Sequence, residues 1–372
     1  MSIDFVAVGD VAPDREVPAT IFEFVRHRIG RADLGFCQLE VNLTTRGVRL
    51  PQARHTMRGD PAIADALVGT GLEVVSFAGN HCMDWGPEGL FDTIDNLTRA
   101  GAIQIGTGKD IAAARQPAYV TRNGVTVGFV SVNSILPMNY WAEENRAGCA
   151  PLRAHTIYEQ IEHDQPGTPA RVHTYSFRDD LDALLATIRQ VRDNADVVIL
   201  SHHAGIHFVP AVIPHYQREV AHAAIDAGAD LVLGHHAHIL KGIEIYKGKT
   251  IAYSLANFAI DLRMDEAHAK SKGFREIQKL NPDWVPDLSS RYNFPPGAEM
   301  SVMLEAKLGR DGVSDVRFVP IMIGRDADPK IVAPEHSDFE RIRAYLQDVS
   351  DRAGLGSTIS AEGEVLRVSP GE

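Results

Sequence analysis

Cysteine is scarce and basic charge is outnumbered. The 372 residues include three cysteines, Cys37, Cys82 and Cys149. An odd count without a CxxC pair argues against a disulfide framework and a structural zinc knuckle. Cys82 borders a polar turn, where a small apolar filler is the plainer reading than a reactive thiol. Against 49 Asp and Glu stand 37 Lys and Arg, a formal charge of −12, and no local basic cluster offsets it. That balance argues against nucleic acid and anionic lipid as partners. No apolar run reaches the ~20 residues of a membrane span, and the opening Met1-Ser2-Ile3-Asp4 carries no basic or apolar leader pattern. The expectation is a soluble, cytoplasmic protein with no membrane partner. Internal repeats and low-complexity tracts are also missing.

What is present is an α/β rhythm. The length suits one large domain with insertions, expected over 1–325 with insertions near 133–176 and 262–298, followed by a C-terminal helix and frayed tail over 326–372. The spacing of Ile21, Phe22, Phe24, Val25 and Ile29 predicts a helix over 18–30. Asp60-Pro61 starts another that runs to about Gly69, and further helices are expected over 87–101, 179–194, 214–227 and 338–353. Asn123-Gly124 between two strand patterns predicts a hairpin, because both residues tolerate positive φ. The two insertions lack periodicity and are expected as lids or binding loops. Their aromatics, including Tyr140, Trp141, Tyr158, Trp284 and Tyr292, either wall a groove or pin the loops to the core.

Four apolar runs end abruptly in ligand-type side chains. Val6-Ala7-Val8-Gly9 ends in Asp10, and Val74-Val75-Ser76-Phe77-Ala78 in Gly79-Asn80-His81. Val197-Val198-Ile199-Leu200-Ser201 ends in His202-His203, and Leu231-Val232-Leu233-Gly234 in His235-His236-Ala237-His238. A further strand around 34–39 ends in Glu40. Buried parallel strands deliver such residues to one edge of a sheet. Taken singly, each has a plainer reading: Asp10 as a turn or cap residue, Glu40 as a solvated carboxylate, Asn80 as a turn-closing amide, His81 as a structural histidine. His202, His207, His215 and His222 read as packing or surface residues, and His235 as standing behind a ligand. The coincidence of several strand ends favours a site. Asp10, Glu40, Asn80, His203, His236 and His238 form an oxygen and imidazole set suited to Mn, Zn or Fe, with a carboxylate able to bridge two ions.

In order along the chain, Val8-Gly9-Asp10-Val11, Gln38-Leu39-Glu40, the run from Gly79 to Gly86, His203-Ala204-Gly205, the run from Gly228 to His238 and Tyr253-Ser254-Leu255-Ala256-Asn257-Phe258 resemble the motifs of the CapA, or poly-γ-glutamate capsule synthesis, family of the calcineurin-like metallophosphoesterase superfamily. The resemblance covers about residues 3–261. It implies a four-layer α/β/β/α sandwich with Asp10 and His238 on one metal, Glu40 bridging, and Asn80, His203 and His236 on a second. It also implies His81 as general acid, with Asp84 as the nearest partner to set its tautomer. Asn257, His207 and Trp85 are the expected substrate-binding residues. The chain departs from the pattern at Ala12, where the superfamily's first motif has a histidine, and at Glu40, where it has an aspartate, so one ion, two ions or none are expected. Capsule-synthesis members are anchored or exported, which sets the cytoplasmic expectation apart from them.

Three chemistries follow. The first is metal-assisted hydrolysis of a peptide or polyglutamate-type amide with His81 as acid. The alternative keeps the fold without metal and uses Asp10, His81 and other histidines as acid/base pairs for α-proton exchange, making the chain a peptide epimerase. The third is phosphoester hydrolysis, disfavoured by Ala12 and the negative charge. A binding module without turnover is the remaining reading.

Overall fold

Apolar runs such as Phe5-Val6-Ala7-Val8 and Val197-Val198-Ile199-Leu200 have no polar residue to turn outward, so they form strands buried on both faces. In the computed structural model, which describes residues 2–53 and 56–371, these strands belong to two stacked sheets of ten and six strands. The larger sheet begins with four parallel strands, β1 (Ser2–Ala12), β2 (Leu34–Leu39), β3 (Leu72–Ser76) and β4 (Ile103–Ile105). The smaller holds β5 (Ala118–Arg122), β6 (Val125–Asn133), β7 (Val197–His203), β8 (Leu231–His235), β9 (Ile243–Tyr246) and β10 (Lys249–Ala252). The chain then returns to the larger sheet. There β11 (Asn257–Ile260) lies parallel to β1, and β12 (Met300–Gly309) and β13 (Gly312–Ile323) extend the sheet beyond β1 in antiparallel fashion.

Strand alternation sorts the side chains into layers. Phe5, Phe36, Phe129, Ile199 and Leu233 fill the space between the sheets, with Phe36 and Phe129 stacked at 6.2 Å. On the outside of the larger sheet, α1 (Ala62–Thr70) and α2 (Gly86–Ala100) bury Leu67 and Leu90 against Val8, Cys37 and Val75. On the outside of the smaller sheet, α3 (Arg178–Arg192) and α4 (His215–Ala227) bury Leu184 and Val220 against Val198 and Leu200. This is the four-layer α/β/β/α sandwich. Two glycines permit the close approach of the strands at its functional edge. A Cβ on Gly9 would lie 1.9 Å from the Ala256 carbonyl oxygen, and one on Gly234 would lie 2.2 Å from that of Tyr253.

Four local expectations change. Residues 18–30 form a 3-10 turn, Pro18–Phe22, and a single α-turn, Arg26–Ile29, because Val25 leaves the helical region at φ −120°. The 133–176 insertion contains an antiparallel hairpin, Ala154–Glu159 with Arg171–Ser176, whose two faces are largely exposed, so no alternation marks it. The 262–298 insertion contains α5 (Lys272–Leu280), capped by the Ser271 hydroxyl accepting from the Phe274 amide. The tail is not frayed. After α6 (Ser337–Arg352), β14 (Ser357–Glu362) and β15 (Val365–Pro370) pair with each other, and Leu366 sits opposite Phe318 on β13. The hairpin at Asn123-Gly124 is as expected, with φ of 52° and 70° at the two residues.

Candidate active site

Register brings the strand ends together. Asp10 on β1 is opposite Asn257 on β11, and His203 on β7 is opposite His235 on β8. The loop after β8 carries His236 and His238 in left-handed backbone, at φ 86° and 56°. Residues other than glycine rarely adopt that conformation, and where they do the surroundings must hold them. Here Asp10 holds the first by accepting the His236 backbone N–H at 3.1 Å, and Asn257 holds the second through its amide oxygen, 2.7 Å from His238 Nδ1.

Glu40 stands at the centre. Its Oε1 is 3.1 Å from His203 Nε2, and its Oε2 is 3.6 Å from His238 Nε2. The Asn80 Oδ1 lies 2.7 Å from His203 Nε2 and 3.1 Å from His236 Nδ1. Two overlapping groups of donor atoms result, Asp10 with Glu40 and His238, and Glu40 with His203 and His236. Within each group the atoms lie within 4.8 Å of one another.

Electrostatics test whether a metal fits. Asp10 and Glu40 are buried, and Asp10 Oδ1 and Glu40 Oε1 accept no hydrogen bond. Although His203 Nε2 is close to Glu40 Oε1, it is aimed at Asn80 instead. Burial raises both carboxyl pKa values well above the ordinary range, with Asp10 and Asp84 adding repulsion at Glu40 and the His236 amide opposing the rise at Asp10. Burial holds His203 and His236 well below the usual imidazole range and lowers His238 to about 4. Among the described residues no Lys or Arg pairs with either carboxylate. Two buried carboxylates among neutral imidazoles form a set that a cation balances, and the nitrogen and oxygen donors fit Mn, Zn or Fe. Ala12 is buried in the outer core and offers no ligand, leaving the Asp10 group one donor short of the superfamily pattern.

His81 has its own set of contacts. His81 Nδ1 is 2.7 Å from Asp84 Oδ2, and the other Asp84 oxygen accepts the Tyr140 hydroxyl at 3.0 Å. Asp84 is thus in direct hydrogen-bond contact with His81. Tyr140, one of the aromatics of the 133–176 insertion, is thereby tied to Asp84, a contact that spacing does not reveal. Its hydroxyl pKa is raised by burial and by Asp84.

His207 lines the same cavity as His81 and His238 and stacks on His236 at 3.9 Å. The other two expected substrate contacts are placed differently. Asn257 is buried with its oxygen facing His238 and its nitrogen donating to the Tyr292 hydroxyl at 2.8 Å, so it positions His238. Trp85 donates its indole N–H to the Met57 carbonyl at 2.8 Å and lies under the Arg58 guanidinium, outside the cavity lining. His235 is buried beside Asp10, 3.7 Å from its Oδ1. His202 bonds Ser134 and His222 stacks on Tyr246, which are packing roles.

A four-layer sandwich with a shared carboxylate and clustered histidines at its strand ends is of the calcineurin-like metallophosphoesterase type. The chain belongs to the bacterial capsule synthesis protein PGA_cap family, whose profile matches residues 4–262. It is 32% identical over 342 residues to a Mycobacterium tuberculosis protein named a probable polyglutamine synthesis accessory protein, spanning 91% of this chain and 77% of that one. It is 29% identical over 189 residues to the PGA biosynthesis protein CapA of Bacillus subtilis. That match spans 50% of this chain and 42% of the relative, so the chain covers less than half of the Bacillus protein's length. Among solved structures, the NAD nucleotidase of Haemophilus influenzae superposes with a TM-score of 0.41 at 11% identity, over 94% of this chain and 62% of that one. Nothing about this chain's chemistry follows from a likeness at that level. Among the described residues no helix is long and apolar enough to cross a membrane.

Proposed function

We propose that the chain is a metal-assisted hydrolase of a peptide or polyglutamate-type amide, with His81 as general acid. The observation that carries this reading is Glu40, one buried carboxylate shared by two groups of donors and paired with no Lys or Arg among the described residues. Asp10, Glu40 and His238 would hold one ion, and Glu40, Asn80, His203 and His236 a second. Divalent cations in such a site polarise a substrate oxygen and lower the pKa of water.

The remaining work falls to the chain's own side chains. Asp84 accepts a hydrogen bond from His81 Nδ1–H and fixes the ring, leaving Nε2–H to protonate the leaving nitrogen as water adds to the carbonyl carbon and the C–N bond breaks. Tyr140 fixes Asp84 from behind. Asn257 holds His238 with Nδ1 as donor, so that Nε2 faces Glu40. The family's link to capsule polymer supports an amide-linked substrate.

The test is release of amine from α- and γ-linked peptides by the purified chain, with Mn or Zn and then with chelator. Chelator-sensitive cleavage that falls at least a hundredfold in His81→Gln is expected. Deuterium entering the α-carbon from D2O without cleavage, insensitive to chelator, would replace this reading with epimerisation.

A further inference from the structure

Beyond the metal-ligand edge, the cavity changes character. It encloses about 400 Å³, with His81, His207 and His238 at one end. The other end is apolar and is built largely from the 262–298 insertion. Met264, Phe274 and Trp284 form a small cluster separate from the three cores of the sandwich, and Phe208 and Ile277 pack against it. Trp284 meets Phe208 edge-on at 5.5 Å and Phe274 at 5.0 Å, so the aromatic wall is fixed by its own contacts. Phe294 closes the gap to the catalytic end, 5.2 Å from the His238 ring.

Charge points the same way. The cavity's lining includes one Lys or Arg among the described residues, Arg49, whose guanidinium donates to the Ala53 carbonyl. A chain of repeating carboxylates needs a track of cations, and a protein with a formal charge of −12 adds repulsion to that lack. A mainly apolar chamber of this size, with His268 and Ser271 beside Phe274 as the polar groups of its far end, suits one bulky uncharged group.

We infer that the chamber formed by Phe208, Met264, Phe274, Ile277 and Trp284 is a specificity subsite for a bulky apolar side chain, aromatic or branched, on the residue beside the bond attacked at His81. The substrate is accordingly a peptide with an apolar residue at that position and not a polyglutamate chain. The inference rests on the hydrolase reading only for the bond attacked; the side-chain preference stands on the chamber.

Binding tests it without turnover. The full chain is titrated calorimetrically with acetyl-Ala-Phe-amide, acetyl-Ala-Leu-amide, acetyl-Ala-Gly-amide and a γ-linked glutamate pentamer. The Phe and Leu peptides should bind at least tenfold tighter than the Gly peptide, because burying such a side chain is worth that factor or more. The same titrations follow in Gly273→Phe and Ile277→Asp. Gly273 is exposed at the cavity's margin and a Cβ there meets nothing within 4 Å, so the first variant adds bulk beside the chamber without a backbone clash. Ile277→Asp should lose the Phe and Leu preference, and Gly273→Phe should weaken it. Tighter binding of the glutamate pentamer than of the Phe peptide would overturn the inference, as would an unchanged preference in a folded Ile277→Asp. A chain that prefers the Phe peptide yet cleaves nothing refutes the hydrolase reading alone, and one that cleaves the pentamer while ignoring Phe refutes the subsite alone.

Discussion

The amide oxygen of Asn257 lies 2.7 Å from His238 Nδ1, and this contact decides which face of that imidazole meets Glu40. Asn257 in turn donates to the Tyr292 hydroxyl, which donates to the Ala298 carbonyl at 2.5 Å. The chain of contacts runs from His238, a proposed ligand, into the 262–298 insertion. Asn257→Leu removes the acceptor without adding charge and should weaken the binding of Mn or Zn by about 10–100-fold. Competition against a chelator of known affinity measures it, and an unchanged affinity would mean that the contact does not orient a ligand.

Asp84 and Tyr140 should separate by magnitude. Asp84→Asn removes the carboxylate that supports a positive His81 and should lower kcat by about 10²–10⁴. Tyr140→Phe removes one hydrogen bond to that carboxylate and should lower kcat by about tenfold, with KM nearly constant in both. Steady-state kinetics on the peptide that the wild type cleaves tests both. Equal losses in the two variants would contradict a role for Tyr140 exerted through Asp84.

Much of this centre is legible in the sequence because parallel strands carry their polar termini to one edge. Asp10, Glu40, Asn80, His203, His236 and His238 each follow an apolar run, and register does the rest. Motif position suggests substrate contact for Asn257 and Trp85, whereas in the structure they face His238 and Tyr292, and Met57 and Arg58, since motif position does not encode the direction of a side chain. Tyr140 and Trp284 stand out in the sequence as insertion aromatics that either wall a groove or pin a loop, and insertions without periodicity do not say what each one contacts. The closing hairpin of β14 and β15 was hidden by short strands with one exposed face, whose pairing with β13 is a tertiary choice.

Lys241 makes stability depend on pH. It is buried, donates to the Val209 and Val212 carbonyls, and its pKa is lowered by burial to about 8. The unfolded lysine titrates near ~10.4, so between about pH 8 and 10 the unfolded chain binds more protons than the folded one. The contribution of this group to stability therefore rises with pH through that window and is lowest below it, by roughly 3 kcal/mol. Urea unfolding at pH 7 and pH 9.5 should show the wild type gaining relative to Lys241→Met. A difference that stays flat would contradict the shifted lysine.

Two glycine substitutions should have opposite effects. In Gly9→Ala the new Cβ would lie 1.9 Å from the Ala256 carbonyl oxygen, so β1 and the segment before β11 must part, at a cost above about 3 kcal/mol. In Gly69→Ala the Cβ meets nothing within 4 Å inside α1, and helix propensity should add about 0.5–1 kcal/mol. Urea midpoints of the two variants compare them directly, and a tolerated Gly9→Ala would mean that the strands do not approach as described.

The central claim is that Glu40 is shared between two metal sites. Its most direct test is the metal-to-chain ratio, by elemental analysis, of protein reconstituted with Mn or Zn and freed of excess ion, for the wild type and for Glu40→Gln. One to two ions per chain are expected in the wild type, with loss of most of that metal in the variant while the fold, read by circular dichroism, persists. A folded wild type that retains no metal, or a Glu40→Gln protein that retains all of it, would contradict the claim.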